Sequence, residues 1–310
     1  MRVGTIDIGT NTVLLLIAEA SSQTSGASLV AVEEHATITR LGQGVDRTRR
    51  LSEEAIARTR ECLERYSLIV RNAHVDALDI VGTSAMRDAE GGAVIVEACR
   101  TLFGVPARVL SGEEEADVTF RGSLSGIEGL GSDVCVFDIG GGSTEVVFGR
   151  PGGKPTFAKS FDVGSVRLTE RIAPTDPPTR DDLERLEQAA VALLADCPRA
   201  HAEATAVGIA GTMTTLTAVH LGLEAYDGSR VHGATLTLRE LEAVVAKLAA
   251  LPLAERSLVH GLEPKRADVV VAGGFVALAV LRALGKDAVR ISDRGVRWGL
   301  AEKLAARGHG

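Results

Sequence analysis

One phrase occurs twice in this chain, and it limits the fold more than any other feature. Near the N-terminus the residues run Val3-Gly4-Thr5-Ile6-Asp7-Ile8-Gly9-Thr10-Asn11-Thr12, with apolar positions following through Ile17. The pattern returns as Val134-Cys135-Val136-Phe137-Asp138-Ile139-Gly140-Gly141-Gly142-Ser143-Thr144-Glu145. Each copy is a β-rich run ending in Asp-Ile-Gly, a turn of small residues and a second β-rich run, which reads as a strand–turn–strand hairpin. Glycine lets backbone N–H groups come close to a phosphate, and hydroxyls at the turn add donors. Asp7 and Asp138, at the strand ends, are candidates to hold a hydrated divalent metal. Either copy alone reads equally well as an ordinary hairpin. Two copies with aspartate in the same place point to a duplicated domain whose glycine turns can face each other across a cleft.

The 310-residue length suits about two domains, each able to bury a core. Aromatic residues make up only 3%, which argues against a protein that recognises bases or sugars by stacking. A net charge of −7 argues against general attraction to nucleic acid or anionic membrane. Cys62, Cys99, Cys135 and Cys197 show no CxxC spacing and lie in apolar segments, so we expect free buried thiols in a reducing cytoplasm. The apolar N-terminal stretch is interrupted by Asp7 and is not read as a signal peptide. The longest apolar run, Val269 to Leu281, is shorter than the roughly 20 residues a bilayer needs. It reads as a buried helix, opened by Ala272-Gly273-Gly274.

Along the chain, residues 29–41 read as a third strand after the first hairpin. Ser52 caps a helix with Glu53 and Glu54 in its first turn. A buried strand at 77–82 runs into Thr83-Ser84-Ala85-Met86-Arg87-Asp88-Ala89, then come a helix to about 102, a short strand at 105–110 and a helix opened by Ser111-Gly112-Glu113-Glu114-Glu115-Ala116. The second half repeats this order, with strands near 133–139, 144–149, 156–162, 204–210 and 287–291. Its helices fall near 164–172, 179–196 and 294–306, besides one opened by Gly211-Thr212-Met213-Thr214-Thr215 and the apolar one. Thr179–Asp182 and Thr237–Glu240 are capping boxes. The Gly/Ser-rich stretch 122–132 divides the domains, and its glycines suit a hinge. No low-complexity tail is expected beyond Gly308.

Seven segments, in this order, resemble the exopolyphosphatase/guanosine-pentaphosphatase (Ppx/GppA) family, a branch of the actin–sugar kinase–heat-shock ATPase superfamily. They are DIGTNT at 7–12, TSAMRDA at 83–89, SGEEEA at 111–116, DIGGGSTE at 138–145, GIAGTMTT at 208–215, VHG at 231–233 and PKRADVVVAGG at 264–274. The resemblance implies an α/β fold of two actin-like (ribonuclease H-like) domains with mixed five-stranded sheets and an interdomain cleft. It sets domain I at 1–124, domain II at 125–293, and a final helix of about 294–307 packing back on domain I. It implies a cytoplasmic homodimeric hydrolase that releases orthophosphate from the ends of inorganic polyphosphate with Mg²⁺ or Mn²⁺. Guanosine pentaphosphate is the alternative substrate in the same site, with (p)ppGpp as substrate or inhibitor and a link to the stringent response. Longer relatives add a domain resembling His-Asp phosphohydrolases. No adjacent His-Asp pair occurs here, so the short two-domain form is expected, with shorter chains as substrates and weak processivity.

The candidate residues follow from what phosphoanhydride hydrolysis needs: neutralised charge, in-line positioning and an activated water. Gly9, Thr10, Asn11 and Thr12 offer donors from one hairpin, and Gly140, Gly141, Gly142 and Ser143 from the other. Gly211, Thr212 and Met213 open a helix, whose free N–H groups favour an anion, although Gly-Thr is also a routine cap. Glu145 resembles the family's additional site carboxylate; otherwise it is an outward strand residue. Arg87 matches a phosphate-contacting arginine, yet it can also pair with Asp88. Ser111 and Glu114 form a capping box, whereas Glu115 matches the family's proposed general base. Lys265, Arg266, Arg294 and Arg297, with Arg290 near them, are candidates for a polyphosphate track. Two other classes compete: an ATP-dependent small-molecule kinase, which the SGEEEA helix start disfavours, and a non-catalytic polyphosphate or alarmone sensor, which Glu115, Asp138 and Glu145 disfavour.

Overall fold

The duplicated phrase builds the same corner twice. The computed structural model describes residues 1–20, 29–172 and 174–307; the chain end from Gly308, where no low-complexity tail is expected, lies outside the described residues. The chain divides into one unit of Met1–Gly122 with Val296–Gly310 and another of Ser123–Gly295.

The first unit opens with β1 (Arg2–Ile8), β2 (Thr12–Ala20) and β3 (Leu29–Ile38), an antiparallel meander. There follow α1 (Val45–Thr48), α2 (Glu53–Asn72), β4 (Ala77–Gly82), α3 (Ser84–Asp88), α4 (Gly92–Phe103), β5 (Arg108–Val109) and α5 (Gly112–Leu124). The strand order is β3-β2-β1-β4-β5, with β4 parallel to β1 and β5 parallel to β4. Ser52 Oγ accepts the Ala55 N–H and so starts α2. One face of that helix then buries Ala55, Cys62, Leu63, Tyr66 and Val70 with Ile95 and Cys99 of α4 over the sheet.

The second unit repeats the plan with β6 (Val134–Ile139), β7 (Thr144–Gly149), β8 (Phe157–Phe161), α6 (Ser165–Ile172), α7 (Arg180–Leu193), β9 (Thr205–Ile209) and α8 (Ala210–His220). It continues through α9 (Gly228–Val231), β10 (Thr235–Thr237), α10 (Leu238–Ala249), α11 (Leu253–Arg256), α12 (Val270–Leu284) and β11 (Ala288–Ile291). Its sheet has six strands, in the order β10-β11-β9-β6-β7-β8, one more than expected. The addition, β10, is three residues long, too short for a readable alternation, and its Thr237 is also the N-cap of α10. Both expected capping boxes are present, at Thr179–Asp182 and Thr237–Glu240. The apolar run is α12, packed among α6, α7, α8 and α10 and buried along nearly its whole length.

The last helix, α13 (Val296–Arg307), returns to the first unit. Trp298, Ala301 and Ala305 pack against Val3, Leu16, Ala18 and Leu29 on the face of the sheet opposite α2. Cys62, Cys99, Cys135 and Cys197 are free and buried, and burial pushes the Cys99 and Cys135 thiols up to about 12. Such thiols are poor nucleophiles. Among the described residues no helix is long and apolar enough to cross a membrane.

Candidate active site

In the first unit, Asp7 on β1 stands opposite Leu14 of β2 and is 8% exposed. The turn after it is held by its carbonyls. Gly9 N–H donates to the Thr12 carbonyl at 3.0 Å, which closes the loop. Thr39 and Arg40 N–H groups donate to the Asn11 carbonyl at 3.0 Å each, and Gly42 N–H to the Thr10 carbonyl at 2.8 Å. Thr10 Oγ1 lies 2.7 Å from Ser84 Oγ at the start of α3. Among the described residues, the N–H groups of Thr10 and Asn11 donate to no acceptor, and the buried Asn11 Nδ2 has no partner. Buried donors are normally paired, so these groups are able to take an acceptor from outside the chain.

Arg87 and Glu115, sought as phosphate contact and base, are bonded to each other. Arg87, in the last turn of α3, donates through Nη1 to Glu115 Oε2 at 2.9 Å and to the Leu110 carbonyl at 3.2 Å. Its Nε is 3.6 Å from Asp88 Oδ1, so the alternative pairing read from the sequence is present but longer. Glu115 is 6% exposed, whereas Glu113 and Glu114 are exposed. Glu114 serves the helix start: it accepts the Ser111 N–H and gives its own N–H to Ser111 Oγ, both at 3.1 Å. The capping box accounts for Glu114 and leaves Glu115 turned inward.

The second unit carries the counterpart. Asp138 on β6 faces Glu145 on β7, where the first unit has Leu14, so two carboxylates occupy a directly opposed cross-strand pair. Glu145 is 1% exposed, not an outward residue, and accepts from Ser160 Oγ at 2.6 Å. Gly140 N–H closes the turn on the Ser143 carbonyl at 3.0 Å. The N-terminus of α6 then takes up the loop carbonyls: Ser165 N–H donates to Gly140 at 3.0 Å, and Val166 and Arg167 N–H groups to Gly141 at 2.9 and 3.0 Å. The N–H groups of Gly141, Gly142 and Ser143 donate to no acceptor among the described residues, and all three residues are buried. The sequence carried no local sign that Val163-Gly164-Ser165 supports this turn.

Beside that loop, α8 begins at a strained corner. Ala210 has φ 65°, a left-handed conformation that costs a non-glycine residue about 1–2 kcal/mol. Thr212 spends its hydroxyl on the Ile139 carbonyl at 3.0 Å, and the Met213 side chain lies in the core, so these two positions can offer a ligand only backbone. A Cβ on Gly211 would stand 2.0 Å from Arg266 Nη1, so the guanidinium rests on the helix start because residue 211 has no side chain. Burial pulls the Arg266 pKa down, opposed by Glu263 and Tyr226. Gly211→Ala is expected to push the guanidinium away, raising KM for an anionic substrate about tenfold or more, the scale of a charge-assisted hydrogen bond. The melting temperature should hardly move, because only the tip of a flexible side chain must shift.

The remaining basic candidates are divided between the two units. Lys265 and Arg294 belong to the second unit with Arg266, and Arg294 Nη1 donates to Ser125 Oγ at 2.9 Å. Arg297 belongs to the first unit, where it pairs with Glu34 at 2.7 Å. No cluster of three or more His, Cys, Asp or Glu suited to a metal occurs among the described residues. The donors present are carboxylates and hydroxyls, hard ligands of the kind that hold Mg²⁺ through one or two carboxylates, waters and substrate phosphates.

Two sheets of matching order, each with a donor turn after an Asp-Ile-Gly strand end, define an actin-like phosphoryl-handling protein. The chain belongs to the Ppx/GppA phosphatase family, which it matches over residues 16–307. It is thereby an enzyme, a phosphoanhydride hydrolase. It is 36% identical to Exopolyphosphatase 2 of Mycobacterium tuberculosis, over 98% of each chain. Its fold is similar to the crystal structure of the Aquifex aeolicus Ppx/GppA family member, with TM-score 0.83, 32% identity and coverage of 100% of this chain and 99% of that one. It is also similar to the crystal structure of an exopolyphosphatase-like protein, with TM-score 0.91, 31% identity and coverage of 100% and 99%.

Proposed function

We propose that this protein is an exopolyphosphatase that hydrolyses the terminal phosphoanhydride of inorganic polyphosphate and releases orthophosphate. The observation that carries this reading is the pair of turns whose carbonyls are bonded while their buried N–H groups are not. That arrangement presents fixed dipoles to phosphoryl oxygens with no reorganisation at the moment of reaction. Thr10 and Asn11 supply the donors of one unit. Gly141 to Ser143 and the backbone of Gly211 to Met213 supply those of the other.

Glu115 takes the proton of the attacking water, and Arg87, fixed against it, gives its planar fork to an oxygen of the terminal phosphoryl group. Asp7 in the first unit and Asp138 in the second, with Glu145 opposite Asp138, are each a carboxylate suited to holding Mg²⁺. When bound, the ion neutralises charge on the phosphate oxygens. Lys265, Arg266 and Arg294 extend the cationic surface of the second unit along the chain.

The deciding assay is orthophosphate release from polyphosphate, guanosine pentaphosphate and ATP side by side, with Mg²⁺ and with chelator. Polyphosphate with Mg²⁺ should be turned over fastest, and chelation should bring release to background. Faster release from guanosine pentaphosphate transfers the same machinery to the alarmone. Release from ATP alone overturns the reading.

A further inference from the structure

The segment Val231-His232-Gly233, running from the last residue of α9 toward β10, has no task in the proposed hydrolysis. Its imidazole is held by an acid: Nδ1 lies 3.0 Å from Asp293 Oδ1, with Ser292 Oγ at 3.4 Å. Ser292 and Asp293 directly follow β11, and Ser292 N–H donates to the Gly208 carbonyl of β9 at 3.0 Å. Since β11, β9 and β6 are parallel, Asp293, the Ala210–Gly211 corner and Asp138 all leave the sheet at one end. Two interstrand spacings of about 4.8 Å put the β11 end roughly 10 Å from the Asp138 strand. Ligands of open α/β sheets bind at that end.

On the other side of the ring, Nε2 is buried and has no hydrogen-bond partner among the described residues. An imidazolium that gives Nδ1–H to Asp293 has Nε2–H as a second donor. The surroundings favour an anion. His232 Nε2 and Arg294 Nη1 lie 3.3 and 2.9 Å from where a Cβ on Gly126 would stand, and Gly126 has φ 74°, so only a residue without a side chain fits beside the imidazole and the guanidinium. Arg290, on β11, has a buried Nε that is likewise unpartnered among the described residues, and its Nη2 is 3.8 Å from a Cβ built on Gly233.

We propose that His232, oriented by Asp293 and flanked by Arg290 and Arg294, is a distal subsite for an interior phosphoryl group of the polyphosphate chain. This rests on the polyphosphate reading above. His232 binds there through Nε2–H, and Asp293 is a positioning residue that fixes the orientation of the ring.

The test compares H232N, H232Q and D293N with the wild type, using long-chain polyphosphate and tripolyphosphate in calorimetric binding and in phosphate release. Asparagine places its amide near the Nδ1 position and glutamine near Nε2. H232N should raise Kd and KM for the long chain about tenfold or more, with a clearly smaller effect on tripolyphosphate and little on kcat. H232Q should recover much of the long-chain affinity. Equal effects on both chain lengths, or an asparagine variant that outperforms glutamine, overturn the subsite in favour of a purely structural His–Asp contact. If H232N does not fold, D293N, which keeps the ring, carries the same chain-length contrast. A wild type that binds and hydrolyses no phosphate chain overturns the functional reading itself, which separates that failure from failure of the subsite alone.

Discussion

Glu115→Gln is expected to lower turnover about 10²–10⁴-fold while leaving affinity for the phosphate chain nearly unchanged. The amide has the size of the carboxylate, and its carbonyl oxygen can still accept from Arg87 Nη1, now 2.9 Å from Glu115 Oε2. The guanidinium therefore keeps its place, and what disappears is an oxygen basic enough to take a proton from water. Glu114→Gln is the matched control. Glutamine can replace glutamate as the third residue of a capping box, and Glu114 is occupied by Ser111 on both sides of that box. Its variant should lose little activity. The measurements are kcat and KM from phosphate release, with Kd from calorimetry. Equal and small effects of the two substitutions would remove Glu115 from the chemistry and reduce the acidic cluster to a helix cap.

Gly164→Ala should be the most damaging change that touches none of the candidate ligands. A Cβ at 164 would stand 2.6 Å from the carbonyl carbon and oxygen of Gly141 and 2.7 Å from the Gly142 nitrogen. These are backbone atoms with no rotamer to retreat into, so the turn itself must move, and it carries the donors of Gly141 to Ser143. A displacement of about 1 Å at such a cradle is enough for a loss of about 10²-fold in kcat/KM. Overpacking of this kind also destabilises by about 1–3 kcal/mol, visible as a lower melting temperature. Ser165→Ala is the comparison: it removes only the 3.3 Å contact of Ser165 Oγ with the Gly140 carbonyl and keeps the backbone bonds. It should behave close to wild type. A Gly164→Ala protein that melts lower yet turns over normally would show that this turn is not the phosphate cradle.

Much of the fold was legible because its signals are local. Each β-run alternates or stays apolar at the period of a strand, and Ser52, Ser111, Thr179 and Thr237 announce helix starts by side-chain chemistry confined to one turn. What escaped was short. β10 and the one-turn helices α1, α3, α9 and α11 span too few residues for a period to be seen. Their place is set by neighbours: β10 pairs antiparallel with β11, a strand some fifty residues further along the chain.

The sequence alone determined the duplication, because both copies of the phrase can be read in full, and the two Asp-Ile-Gly hairpins and the separation of Glu114 from Glu115, because these depend on spacing within a few residues. Tertiary structure decided how those pieces are held. The bond between Arg87 and Glu115 joins α3 to α5, the support of the second turn comes from the start of α6, and the guanidinium on Gly211 comes from the segment before α12. None of these has a sequence signature. Which carbonyl meets which N–H, and which side chain lies over a glycine, depend on packing between elements far apart in the chain.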